Sequence, residues 1–80
     1  MNVENLINKE VKKMNNNIKN WINKNIIGYE YNKTVDNRHM VFIPVTNKQD
    51  QKIIKYLKRI KANFKADYRA NYTYLCIIFI

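Results

Sequence analysis

The chain has 80 residues, enough for one small domain and no second core. Hydrophobic residues make up 46%, which permits folding, and a formal charge of +9 favours a polyanionic partner: nucleic acid, anionic lipid or an acidic protein. With no Ser and a single His, Cys and Gly, the composition excludes a serine triad, a four-ligand structural zinc site, a phosphate loop and a dinucleotide fingerprint.

Met1 to Asn5 lacks the basic start and apolar core of a signal peptide. The lone Cys76 excludes an intrachain disulfide, so a reducing cytoplasm is the expected location. The spacing of Val3, Ile7, Val11, Met14, Ile18 and Trp21 or Ile22 predicts a first helix over Val3 to Asn25. Asn15-Asn16-Asn17 is its weak point. Ile27, Tyr29 and Tyr31 then alternate with Glu30 and Asn32, the period of a half-buried strand. Asp36-Asn37 predicts a turn, followed by a strand from His39 to Val45 that is apolar on both sides. Pro44 places the end of that strand, or a sheet edge, nearby.

Thr46 or Asn47 should cap a second helix, with Asp50 completing a capping-box-like pattern and the end near Asn63. From Ala66 the chain reads as strand to Ile80, and a bend near Ala70-Asn71 could divide it. The expected fold is α+β in the order α-β-β-α-β, with two helices on one face of a small three-stranded, mainly antiparallel sheet. This order resembles a ferredoxin-like or RNA-recognition-motif arrangement without its first strand. The apolar last strand would be a liability at an edge, and pairing into a homodimer would cover it.

The second helix is the main candidate for binding. At about 100° per residue, Lys48, Lys52, Lys55 and Arg59 share one stripe, flanked by Lys58 and Lys65 with Lys61 beyond. Ile53, Leu57, Ile60 and Phe64 point the other way. Asp50 is the only acid in the segment. Cations spaced along one face suit phosphate contact, with Lys12, Lys19 and Lys24 extending the positive surface. The bland counterpart is a solvated face: abundant Asn, Lys and Ile also fit an AT-rich genome that inflates Lys everywhere. Tyr29, Tyr31, Tyr72 and Tyr74 could form a stacking platform for unpaired bases, although alternating tyrosines also describe a core face. His39 reads as a surface residue, Cys76 as an inert core thiol, and Trp21 as a core residue or interface anchor. No spacing indicates a metal or a cofactor.

Two short stretches resemble known families. Asp67-Tyr68-Arg69-Ala70-Asn71-Tyr72 is similar to the strand carrying Tyr and Arg in ribonuclease toxins of the RelE and ParE superfamily. That resemblance implies Arg69, Tyr72, His39 and Lys65 as candidate catalytic groups. Met1-Asn2-Val3-Glu4-Asn5-Leu6-Ile7 resembles the start of small phage-encoded anti-CRISPR proteins, which implies inhibition of a nucleic-acid-cutting machine without catalysis. Acidic members imitate DNA; a basic chain would instead grip nucleic acid or an acidic surface of a nucleoprotein effector. The expected function is thus a non-catalytic binding protein, without cofactor or membrane, acting in a host cytoplasm. A ribonuclease toxin and a plain protein-interaction module are the alternatives.

Overall fold

A computed structural model describes residues 16–80. The predicted helical stretch from Val3 to Asn15, with Lys12 and the N-terminal resemblance, lies outside them.

Helix α1 runs Asn16–Asn25 and buries Ile18 and Ile22. Its five asparagines each cost up to about 0.7 kcal/mol relative to Ala. Burying each isoleucine contributes about 1.5–3 kcal/mol, so tertiary burial decides the helix. The chain leaves α1 through Gly28, whose φ of 79° is left-handed; a Cβ there would lie 3.2 Å from Pro44 Cγ. Strand β1 is Glu30–Lys33. Ile27, expected to open it, is instead 78% exposed in the connection. Its backbone is taken by a side chain, not a ladder: Ile27 N–H donates to Gln49 Oε1 at 2.7 Å, and Gln49 Nε2 donates to Ile27 O at 3.0 Å.

The predicted turn forms at Thr34–Arg38, with Asn37 at a φ of 69°. Thr34 N–H donates to Arg38 O at 2.9 Å, and the Thr34 hydroxyl accepts from Arg38 N–H. Strand β2 is His39–Pro44. Pro44 sits at its last position, as the sequence indicated, but β2 is a central strand.

Helix α2 spans Gln49–Arg59 and differs from expectation at both ends. Thr46–Lys48 form a 3-10 turn with Asn47 and Lys48 left-handed, and no side chain caps the helix. Asp50 accepts instead from the Tyr68 hydroxyl at 2.7 Å. At the other end, Lys61 takes the left-handed position at a φ of 58°, with Lys61 N–H bonded to Lys58 O and Ala62 N–H to Leu57 O. That is a Schellman stop built on Lys where Gly is usual. It ends the helix before Lys61 and Lys65 can join its face.

The expected last strand is two strands, β3 (Phe64–Arg69) and β4 (Tyr74–Phe79), so the sheet has four strands and not three. They join at the anticipated bend, where Ala70, Asn71 and Tyr72 are all left-handed. The sheet order is β1-β2-β4-β3, and every pairing is antiparallel. Two strands joined as a hairpin follow α2, and the last of them pairs with β2, so the ferredoxin-like arrangement, with one strand after its second helix, is not reproduced. β4 lies in the middle, so the exposed apolar edge that motivated a homodimer does not exist. The edge strand β3 places Lys65, Asp67 and Arg69 alternately along its length, charges that discourage edge-to-edge pairing.

Register separates two faces. Val41, Ile43, Leu75, Ile77 and Phe79 point to the helices and join Ile18, Ile22, Ile26, Ile53, Tyr56 and Leu57 in the core. Ile22, Val41, Ile43, Ile53, Leu57 and Ile77 are fully buried. The other face presents Glu30, Phe42, Cys76 and Asp67 as one row, with Asn32, Met40, Ile78 and Lys65 as the next. Cys76 is buried there, and loss of water pushes its thiol above the ordinary value, as befits an unreactive sulfur.

Gln49→Ala would leave the amide and carbonyl of Ile27 and the Pro44 carbonyl without their part-buried partner. Urea unfolding should show a loss of about 2–4 kcal/mol; a change under about 0.5 kcal/mol would mean the bridge is not formed. Ala70→Gly should have the opposite sign, relieving a left-handed alanine and stabilising the protein by about 1 kcal/mol in the same assay.

Candidate polyanion-binding surface

The outward side of α2 follows from its buried side. Ile53, Tyr56 and Leu57 are drawn into the core. At the helical period this turns Lys52, Lys55, Lys58 and Arg59 to solvent, and all four are exposed. Lys48, in the turn before the helix, is exposed as well. One flank of this stripe meets α1. Lys52 Nζ reaches Asn25 O at 3.4 Å, and the Arg59 guanidinium lies 5.7 Å from the Tyr56 ring centroid. Tyr56 in turn stacks on Trp21 at 4.2 Å with an interplanar angle of 3°. Trp21 is therefore an interhelical residue, partly buried against the core. Lys24, exposed in the last turn of α1, adds to the same helical layer.

Three of the four described acids are engaged elsewhere. Asp36 pairs with Arg38 at 2.9 Å and accepts from the Thr34 hydroxyl, and Asp67 pairs with Arg69 at 3.0 Å. The Thr34 bond first, and then Arg38, hold the Asp36 carboxyl below its ordinary value. Asp50, buried in the first turn of α2, is bonded to Tyr68. Among the described residues, no cation of the α2 stripe forms an ion pair with a carboxylate.

The other expected positions are dispersed. Lys61 occupies the stop after α2, exposed. Lys65 belongs to β3 and lies on the far face of the sheet, paired across to Ile78. Lys19, on α1, sits 6.0 Å from the centroid of the Tyr31 ring. The four tyrosines of the proposed platform do not form one surface. Tyr29 and Tyr31 pack at 4.9 Å on the helix side of β1, and Tyr29 donates to Asn23 Oδ1 at 2.7 Å. Tyr72 stands in the left-handed tip against Tyr68 at 5.3 Å, while Tyr74 is registered with Pro44 on the opposite face. Nor do the toxin-like positions gather. Arg69 is bound to Asp67, Tyr72 is at the hairpin tip, and Lys65 is at the other end of β3. His39 opens β2 opposite Lys33.

Sequence reasoning missed a groove of about 380 Å³ lined by Lys19, Tyr31, Asn32, Lys33 and His39. The alternation of Tyr29 and Tyr31, continued by one step, would have placed Lys33 on their side. Among the described residues, no cluster of His, Cys, Asp or Glu could hold a metal ion, and no helix is long and apolar enough to cross a membrane. Compared with protein-family models, curated proteins and solved structures, the chain matches none.

The Tyr68–Asp50 bond has a pH signature. That hydrogen bond first, then desolvation and the Asp50 charge, push the Tyr68 phenol above its ordinary value of 10.0. A raised folded-state value contributes stability that is complete below the unfolded value and lost as pH rises through the folded one. Urea stability should therefore decline above pH 10, and Tyr68→Phe should lower stability at neutral pH while flattening that decline. Parallel profiles for the two proteins would show that the bond does not contribute.

Proposed function

We propose that this chain is a small non-catalytic binding protein that grips the phosphate backbone of nucleic acid through the outer stripe of α2. The observation that carries this reading is the single sign of that stripe. Lys48, Lys52, Lys55, Lys58 and Arg59 are exposed together, and the described carboxylates nearest in sequence are committed to other partners. A face whose only role was solubility would carry charges of both signs. Four of the five cations are Lys, which act as point charges and lack the bidentate fork of Arg, so binding should depend little on base sequence.

The short resemblance to anti-CRISPR proteins extends the proposal to its biological setting. Held on guide or target nucleic acid, or against an acidic surface of the effector, such a protein would obstruct a nucleic-acid-cutting machine in the host cell. No reaction is required for that, since occupancy alone blocks the substrate.

If about five cations displace counterions, log K should fall against log salt with a slope of about −4 to −5 on duplex DNA. A filter-binding series from low to moderate salt measures it, and a flat response would end the proposal. The triple charge reversal Lys52→Glu, Lys55→Glu and Arg59→Glu should reduce affinity by at least about 100-fold at low salt with the fold retained by circular dichroism. Unchanged affinity would assign binding to another surface.

A further inference from the structure

The seam between α1 and β1 is closed at one end and open at the other. At the closed end, Tyr29 bonds to Asn23 and packs against Tyr31. One turn earlier on α1, Lys19 approaches the Tyr31 ring at 6.0 Å, the outer limit of a cation–π contact and therefore a weak hold. Beyond it the groove opens, with Lys33 and His39 facing each other across β1 and β2. The Lys19 ammonium thus stands beside an aromatic ring that is 37% exposed and packed against a second, and Lys33 lines the same groove. Neither ammonium is ion-paired with a carboxylate of the described residues.

The volume, about 380 Å³, is at the small end of ligand pockets. That suits one nucleotide and not a long segment of strand. Cations demand an anion, and the adjacent ring offers a flat apolar surface to something planar. We infer that this groove binds a single unpaired nucleotide, with Lys19 and Lys33 on the phosphate and Tyr31 stacked on the base. The inference rests on the nucleic-acid reading of α2 and adds a second, chemically different subsite. The helix holds backbone charge, whereas the groove selects an unpaired end or a flipped-out residue, because a base inside a duplex has no free face to stack.

The test is an NMR titration of the isotopically labelled full chain with uridine monophosphate, inorganic phosphate and uridine. The monophosphate should shift Lys19, Tyr31 and Lys33 saturably; phosphate alone should bind the same residues more weakly, and uridine should bind weakest. Tyr31→Leu should weaken the monophosphate about tenfold or more with phosphate affinity unchanged, as expected for a lost stack. Lys33→Ala, at an exposed position that does not threaten the fold, should weaken the monophosphate and phosphate alike. Neither variant should change the salt slope on duplex, which belongs to α2. Equal affinity for phosphate and monophosphate, or shifts confined to α2, would overturn the inference. Loss of duplex binding in the α2 triple variant, with monophosphate binding intact, would support two subsites. If duplex never binds but the groove still takes the monophosphate, the α2 reading fails and the groove stands.

Discussion

The side chain of Gln49 is the joint on which the described fold turns. Its oxygen and nitrogen are shared between both backbone groups of Ile27 and the carbonyl of Pro44. A single amide therefore fixes the exit of α1, the end of β2 and the first turn of α2. Those three places are where a chain this short most needs help. Gly28 must turn left-handed against Pro44, and Asn47 and Lys48 must do so without a side-chain cap. Gln49 is 4% exposed and its bonds are part-buried, so its own polar atoms have little access to water and leaving them unpaired is costly.

A second constraint is the way the few acids are distributed. Asp36 and Arg38 lie in one tight turn, and Asp67 and Arg69 are two apart on one strand face, so each pair satisfies itself locally. Asp50 is spent on fastening β3 to α2 through Tyr68. Among the described residues, the cations of α2 meet no carboxylate: Lys52 reaches the Asn25 carbonyl, Arg59 lies over the Tyr56 ring, and the stripe otherwise faces outward. Their mutual repulsion raises the free energy of the isolated protein slightly, and an approaching anion removes it.

Much of the architecture was legible in residue order. Apolar spacing located α1 and α2, alternation located β1 and β2, and Asp36-Asn37 marked its turn. The outward direction of Lys52, Lys55 and Arg59 followed from the helical period alone. What was not legible lies where backbone conformation departs from residue preference. Lys61 occupies a position that normally advertises itself as Gly, so the helix looked longer and gathered Lys61 and Lys65 onto its face. Ala70, Asn71 and Tyr72 reverse the chain left-handedly, and only Asn71 hints at it. Without that reversal counted as a full hairpin, β3 and β4 read as one strand and the sheet lost a member. The groove was half legible: alternation puts Lys33 on the side of Tyr31, but Lys19 reaches that ring from α1 only through tertiary structure, which no spacing encodes.

The central place of β4 has a consequence for how the molecule comes into being. β2 and β3 each find their inner neighbour only in the segment Tyr74–Phe79, which follows every other element along the chain. A growing polypeptide that has not yet reached Tyr74 can pair Val41 with Tyr31 of β1 on one side only, and the earlier described elements cannot close the sheet without β4. The four-stranded sheet therefore cannot form before β4 is present, and until then β2 keeps one edge unpaired.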